Sequence, residues 1–379
     1  MRRRPVMALV AALASCAVTA PAQVVPERDA IVEAQLLPRT VKTSVQRLAT
    51  ADAVALGVSD ALTAARRMLE SGRASGDPRT LGYAESLLAR WTTDDPRTPL
   101  DVLVLRATIE QSRHRFDVAV VLLDRVLARD PAHGQALLTR ATIAQVQGNH
   151  RAARDDCERL RPFSPEVASI CRAQTDALTG SNDRALAALR AAAERTQGDV
   201  RSWALASLAQ VHEQRGDPRA AAAAYRAALA ASDDLGTRLA LADVLIAQRS
   251  WDDARIVLAD AAPADGTLLR RWKVERATGI ASPLGTQLQA RFDEAAARGE
   301  LLHAREAAVF ALERGDAPAG LRLARDNWRV QREPADLLVL ARAAHATRDA
   351  ATLGEVDSWV RATGLADARV RAVLHERSS

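Results

Sequence analysis

The stretch LVLRATIEQ, residues 103–111, returns 34 residues later as LLTRATIAQ, residues 137–145. Six of the nine residues are identical in place. The same offset carries Ala119 onto Ala153. A fixed period of this length is typical of arrays in which one repeat buries its apolar face only against its neighbours. This repeat therefore decides the fold class.

Each repeat is predicted to be a pair of short amphipathic helices. In the first clear unit the apolar positions predict helices over residues 100–112 and 116–129. Asp130-Pro131 ends the second helix, because proline cannot continue the hydrogen-bond ladder. Composition agrees with helices, since apolar residues make up 48% of the chain and aromatic residues only 3%.

A glycine followed five residues later by an alanine marks the turn inside several units. The spacing occurs at Gly148 and Ala153, Gly180 and Ala185, and Gly216 and Ala221. It occurs without the glycine at His114 and Ala119, and at Arg249 and Ala254. A 34-residue helix–turn–helix with this pattern resembles the tetratricopeptide repeat.

The resemblance is clearest over residues 100–262 and implies an all-α fold. It predicts a right-handed α-solenoid of about eight tetratricopeptide-like helix pairs in residues 51–376, with ADARVRAVLHE as a C-terminal capping helix. Gly320 departs from the pattern, because it stands where the small alanine is expected. Through DCERL, DNWRVQREPAD and ATGLADARV the chain is also similar to exported proteobacterial repeat proteins of unassigned function.

The ends of the chain are expected to lie outside the array. MRRRP followed by VMALVAALASCAVTA predicts a secretion signal over residues 1–22, with cleavage after Ala22. The alternative is a lipid anchor on Cys16, because Leu13-Ala14-Ser15-Cys16 resembles a bacterial lipobox. We expect an exported, periplasmic protein under the first reading and a protein anchored to an envelope membrane under the second. Residues 23–50 are expected to be a tether or first helix, and residues 377–379 a tail.

The charge pattern does not favour nucleic acid as a partner. The net charge is +5, and residues 23–379 carry 49 basic against 47 acidic residues, since Arg2, Arg3 and Arg4 account for the rest. Acidic and basic residues alternate along the chain, and no basic stripe with spaced aromatic residues occurs. We expect contact with a membrane only through the candidate lipid anchor.

Motifs of catalysis and metal binding are absent from the sequence. It contains no G-x-S-x-G, H-E-x-x-H, P-loop or G-x-G-x-x-G, and its seven histidines are scattered. His114 and His150 are expected on the surface. The acid pairs Asp155-Asp156 and Asp252-Asp253 are expected at the starts of second helices, where the helix dipole favours negative charge. We therefore expect no enzyme, no cofactor and no metal.

In the tetratricopeptide family the first helix of each pair lines a concave groove, which implies a set of partner-binding candidates. They are Val104, Thr108, Gln111, Leu138, Thr142, Gln145, Ile170, Gln174, Trp203, Ala206 and Gln210. Glutamine amides both donate and accept hydrogen bonds, so a row of them can hold an extended peptide. Glutamine is also a good solvated helix former, and Trp203 is either a packing residue or a binding anchor. The family's lysine clamp for C-terminal carboxylates is missing here.

Two cysteines bracket the stretch CERLRPFSPEVASIC, residues 157–171. Cys157 is expected in the second helix of one unit and Cys171 in the first helix of the next, at similar height. A disulfide is expected there, with two buried thiols as the alternative. A zinc site needs further ligands, and a redox pair is normally spaced more closely.

The expected function is a non-enzymatic scaffold that binds a peptide or protein along the groove. The alternative is a structural or adaptor subunit of an envelope complex that uses the convex face or the ends. The sequence names neither the partner nor the oligomeric state.

Overall fold

The computed structural model describes residues 57–75, 77, 79–297 and 304–376. These residues form 19 helices and no strand. The predictions made for the signal segment, Cys16, residues 23–50 and the tail lie outside the described residues.

The helices are short and follow one another through brief turns. In chain order they are α1 (Val58–Ser75), α2 (Arg79–Leu87), α3 (Leu100–Ser112), α4 (Phe116–Arg129), α5 (Gly134–Val146), α6 (His150–Leu160), α7 (Pro165–Leu178), α8 (Asn182–Arg195), α9 (Gly198–Gln214), α10 (Pro218–Ala231), α11 (Leu235–Ala247), α12 (Trp251–Leu258), α13 (Asp265–Ala277), α14 (Leu284–Ala297), α15 (Ala304–Glu313), α16 (Ala317–Val330), α17 (Pro334–Ala346), α18 (Ala350–Thr363) and α19 (Ala368–His375).

Consecutive helices pack in pairs, from α1 with α2 to α17 with α18, and α19 follows as a single last helix. The described residues thus contain nine pairs, where about eight were predicted. The all-α fold, the helices at 100–112 and 116–129 and the final helix are confirmed. The chain divides into an N-terminal unit, described over residues 57–129, and a C-terminal unit, described over residues 130–376 with the gap at 298–303.

One turn is repeated inside eight of these pairs. A residue with positive φ ends the first helix, and the next residue donates its backbone N–H to the carbonyl five residues earlier, as Asn149 does to Ala144 at 2.7 Å and Asp217 to His212 at 2.9 Å. This bond satisfies a carbonyl that the helix end would otherwise leave free. The positive-φ residues are His114, Gly148, Gly180, Gly216, Arg249, Gly279, Gly315 and Arg348.

The predicted small residue lies at the closest approach of the two helices in a pair. Ala153 and Ala185 are both 0% exposed. Gly320, at the corresponding position of its pair, has even less room, because a Cβ atom there would lie 2.7 Å from Cγ of Leu312. The departure from alanine at Gly320 is therefore explained by a larger neighbour on the facing helix α15.

Candidate functional site

A cavity of about 1010 Å³ lies inside the C-terminal unit. The first helices of its pairs supply most of the lining, with α5, α7, α9 and α11 contributing earlier residues and α13, α15 and α17 later ones. Arg369 of α19 completes it. The concave side of these repeats is thus a partly enclosed space.

The cavity is partly enclosed because the last pairs of this unit return to its first pairs. The backbone N–H of Arg332 donates to the carbonyl of Val146 at 2.7 Å. Nδ2 of Asn182 donates to the carbonyl of Ala366 at 3.0 Å. Direct hydrogen bonds at the connections that precede α17 and α19 therefore hold segments that are 184 or more residues apart in sequence.

Two turn glycines make this return possible. A Cβ atom on Gly148 would clash with the ring of Trp359, and one on Gly180 would clash with the carbonyl oxygen of Gly364. Trp359 also contacts His150, with ring centroids 6.4 Å apart. His150 was expected on the surface, but it is half-buried, and burial lowers its pKa. That expectation was wrong, because the surface of α6 is covered by a helix from the far end of the unit.

A buried polar network links α9, α10 and α19 at the cavity wall. Tyr225 donates its hydroxyl to Oε1 of Glu213 at 2.6 Å, and Nη1 of Arg369 lies 2.5 Å from Oε2 of the same carboxyl group. Arg369 also pairs with Asp367 at 2.7 Å. Burial raises the pKa of Glu213, partly offset by the charge of Arg369. Both carboxyl oxygens of Glu213 accept hydrogen bonds from side chains of the protein. The geometry around Glu213 is therefore that of a structural carboxyl group.

Most other charges on the cavity wall are neutralised in pairs. Arg270 lies 2.5 Å from Asp243, and Arg305 lies 2.6 Å from Glu333 and 2.5 Å from Asp336. Lys273 and Arg276 share Glu313, at 3.4 and 3.5 Å. Apolar side chains such as Leu269, Val309 and Leu338 fill the wall between them. The cavity therefore offers an apolar surface with fixed, mostly compensated charges.

The predicted glutamine row is largely engaged within the protein. Nε2 of Gln145 donates to the carbonyl of Cys171 at 3.0 Å and to Oγ1 of Thr175 at 2.9 Å. Nε2 of Gln174 donates to Oγ of Ser207 at 3.0 Å. Gln145, Gln174 and Gln210 all line the cavity. Two of these amides thus tie successive first helices together, and their binding to a partner stays a prediction.

The other predicted groove residues point mainly into packed interfaces. Leu138, Thr142, Ile170, Trp203 and Ala206 are between 0% and 8% exposed and are not among the residues that line the cavity. The burial of Trp203, at 3%, fits its packing alternative. In the N-terminal unit Val104 and Thr108 are buried and Gln111 is half-buried.

The later helices carry cavity residues that sequence reasoning missed. Leu338, Val339 and Arg342 lie on one face of α17, and Arg305, Glu306 and Val309 on one face of α15. The spacing of Leu338, Val339 and Arg342 is visible in the sequence, but it indicates only an amphipathic helix. No sequence signal shows that this helix faces the cavity.

Cys157 and Cys171 form a disulfide in the structure, with Cα atoms 5.6 Å apart. It joins α6 to α7 and therefore one helix pair to the next. Both residues are buried, at 0% and 1% exposed. The bond that the spacing allowed is present.

The two predicted acid pairs lie at different positions along their helices. Asp252 and Asp253 lie in the first turn of α12, as expected. The expectation for Asp155-Asp156 was wrong, because the first turn of α6 contains no acidic residue. Asp156 lies in the middle of α6, where Arg140 binds it through two 2.7 Å contacts. Within the described residues no group of three histidine, cysteine or acidic side chains is placed to hold a metal ion. Over the same part of the chain no helix combines the length and apolar character that a membrane span requires.

Comparison with known proteins gives structural similarity without a sequence match. No protein-family model matches the chain, and no curated protein matches its sequence. Similar solved structures include PilF of Pseudomonas aeruginosa (18% identity, 51% of this chain and 92% of that one, TM-score 0.40). Others are a tetratricopeptide repeat protein of Parabacteroides merdae (14%, 75% and 98%, TM-score 0.39) and the Cut9–Hcn1 hetero-tetramer of APC/C (13%, 89% and 67%, TM-score 0.37).

Overall superposition at these TM-scores is loose and says nothing about function. The chain's own geometry is more informative. Eight of its helix pairs share one turn with a left-handed residue, and in five of them a fully buried alanine follows five positions later, at Ala119, Ala153, Ala185, Ala221 and Ala254. The chain is an all-α protein of repeated helix pairs, and these pairs resemble tetratricopeptide repeats.

Proposed function

We propose that this chain is a non-enzymatic protein-interaction scaffold of the cell envelope that binds a peptide segment of its partner in the cavity of the C-terminal unit. The observation that carries the proposal is the cavity itself, lined by the first helices of successive pairs. At about 1010 Å³ it lies at the upper end of the roughly 300–1,000 Å³ typical of ligand sites. Such a space suits a short peptide segment and is too small for a folded domain.

The arrangement of the wall supports binding over catalysis. The raised pKa of Glu213 is the kind of perturbation found at catalytic sites, but both of its oxygens are already bonded to Tyr225 and Arg369. The apolar stretches between the ion pairs provide area that a peptide can bury, and burial of apolar area is the main favourable term in association.

Two observations support the envelope location. The N-terminal pattern predicts export, and the buried disulfide between Cys157 and Cys171 is a bond that persists in oxidising compartments. The mass of the mature protein from envelope fractions tests this. A chain that begins at Gln23 supports the periplasm, a lipidated Cys16 supports an anchored form, and an intact Met1 with reduced thiols contradicts export.

A cavity-blocking variant tests the binding site. Ala247 is exposed and lines the cavity, so Ala247→Trp fills space there without disturbing the core. Ala227→Trp is the matched control, because Ala227 is exposed on α10 away from the cavity. Random peptides displayed on phage and selected on the wild-type protein are the probes. We expect the selected peptides to lose at least about tenfold in affinity for Ala247→Trp and to bind Ala227→Trp as they bind the wild type. Equal binding to all three proteins would exclude the cavity.

One observation favours the adaptor alternative. Val121 of α4 is 59% exposed and Ile256 of α12 is 73% exposed, and each lies on the second helix of its pair. Exposed apolar side chains of this kind occur at protein interfaces, though single ones are common. A stable envelope complex that persists with Ala247→Trp would support this alternative.

A further inference from the structure

One cation of the cavity wall differs from all the others. Arg342 is exposed and lines the cavity, one turn after Leu338 and Val339 on the same face of α17. Leu338 and Val339 are each 8% exposed. Because residues three and four apart are neighbours on a helix surface, these three side chains form one apolar patch with a guanidinium at its edge.

Within the described residues Arg342 makes no hydrogen bond and no ion pair, whereas each remaining basic side chain that lines the cavity has an acidic partner. The pairs are Arg270 with Asp243, Lys273 and Arg276 with Glu313, Arg305 with Glu333 and Asp336, and Arg369 with Glu213 and Asp367. A guanidinium offers five N–H donors, so an unpaired one in a concave site is a strong unfilled donor set.

The carboxylates around Arg342 are already engaged. Those whose charge reaches it are Glu313, Asp243 and Glu376. The first two belong to the pairs above, and Glu376 faces His345 at 4.0 Å. Partial removal of the guanidinium from water within the cavity and the positive charge of Arg369 lower the pKa of Arg342, while the charges of the three carboxylates act in the opposite direction. None of the three carboxylates forms an ion pair with Arg342, because each already faces another partner.

We propose that the segment bound in the cavity carries a carboxylate next to an apolar side chain, and that Arg342 binds the carboxylate while Leu338 and Val339 contact the apolar side chain. The inference rests on the proposed function, since it concerns the same cavity. A peptide carboxylate comes either from aspartate or glutamate or from the chain end, and both present the two oxygens that a guanidinium binds in parallel.

Peptide selection distinguishes the two sources. Random peptides are displayed in two forms, one with a free C-terminus and one with the C-terminus fused to the coat protein. We expect sequences selected on the wild type to be enriched in an acidic residue beside leucine, isoleucine or valine in the fused form. The free form also allows the terminal carboxylate to take that place.

Arg342→Gln is the test variant, and Arg322→Gln is its control, because Arg322 is exposed on α16 and does not line the cavity. A selected peptide and its version with the carboxylate converted to an amide are titrated against each protein. We expect the conversion to weaken binding about tenfold or more for the wild type and Arg322→Gln, and to have no effect for Arg342→Gln. Arg342→Lys should restore part of the difference, because it keeps the charge without the fork.

The outcomes separate the two proposals. Loss of affinity for Ala247→Trp shows that a selected peptide binds in the cavity. If such peptides show no preference for an acidic residue, the role of Arg342 is overturned and the scaffold proposal stands. An equal effect of the amide conversion on Arg342→Gln and on the wild type would do the same. If no selected peptide loses affinity for Ala247→Trp, the proposed function itself is overturned. Thermal unfolding of each variant checks that the fold is retained.

Discussion

At three of the repeated turns the residue in the left-handed region is not glycine. His114, Arg249 and Arg348 have φ of 56°, 58° and 57°, while the remaining turns use glycine. A side chain in this region costs about 1 kcal/mol or more, because its Cβ approaches the following carbonyl. The array tolerates this cost because the turn is fixed by the hydrogen bonds on both sides, such as that from Ser250 to Leu245 at 2.9 Å.

Arg249→Gly is therefore expected to stabilise the protein. Arg249 is exposed, so its side chain contributes little packing. Relief of the left-handed strain should raise the free energy of unfolding by about 0.5–1 kcal/mol, after the greater freedom of glycine in the unfolded chain is counted. Urea unfolding followed by circular dichroism measures the change. Arg249→Ala is the control, because it removes the side chain and keeps Cβ. A gain of the same size for Arg249→Ala would contradict the explanation.

At the scale of elements, the join between α5–α6 and α7 combines several unlike contacts. The disulfide connects Cys157 to Cys171, and Gln145 donates to Thr175 within the same interface. The sequence separation of 14 residues gives a short covalent loop around the turn. In the chain-entropy description, closing such a loop lowers the conformational entropy of the unfolded chain and thereby stabilises the folded state by about 3 kcal/mol.

Reduction of this disulfide is expected to lower the free energy of unfolding by about 3 kcal/mol. Urea unfolding of the wild type with and without reductant, added after unfolding so that the buried bond is reached, measures the loss. The Cys157→Ala/Cys171→Ala double variant is the control, and reductant should leave its unfolding midpoint unchanged. A wild-type protein that unfolds at the same urea concentration with and without reductant would show that the bond contributes nothing.

At the scale of the C-terminal unit, the return of the last pairs onto the first ones defines the cavity. We call the line of contact between the last and first pairs the seam. Three contacts lie along it, between Arg332 and Val146, between Gly364 and Gly180, and between Arg369 and Glu213. These contacts are long-range in sequence, so their formation depends on the curvature of all intervening pairs. We therefore expect a substitution at the seam to open the cavity and also to lower the free energy of unfolding.

Gly180→Ala tests the seam. Gly180 and Gly315 both have positive φ, at 81° and 87°, so alanine strains the turn at either position. At Gly180 the new Cβ also overlaps the Gly364 carbonyl oxygen, whereas at Gly315 no atom lies within 4 Å. We expect Gly315→Ala to cost about 1 kcal/mol and Gly180→Ala at least about 2 kcal/mol. Urea unfolding gives both values. Hydrogen exchange should show faster exchange in α18 and α19 for Gly180→Ala alone, and equal effects of the two variants would argue against a tight seam.

The helix pairs could be predicted from residues because their determinants are local. Asp130-Pro131 ends α4 wherever the helix lies in space, and a glycine followed five residues later by alanine reports the turn and the close approach within a single pair. The candidate site could be predicted only in part. Gln145 and Gln174 were placed on the correct helices, but their hydrogen bonds to Thr175 and Ser207 depend on the rotation of neighbouring pairs.

The sequence by itself determined the all-α repeat, the five turns between residues 114 and 249 and the two cysteines that could pair, because each depends on neighbours within about one repeat length. Only the tertiary structure decided that the concave side is a partly closed cavity and that Arg342 stands in it without a partner. The reason is that small rotations between successive pairs add up along the chain. No single repeat encodes that sum, and it alone brings residues near 340–370 against residues near 146–216.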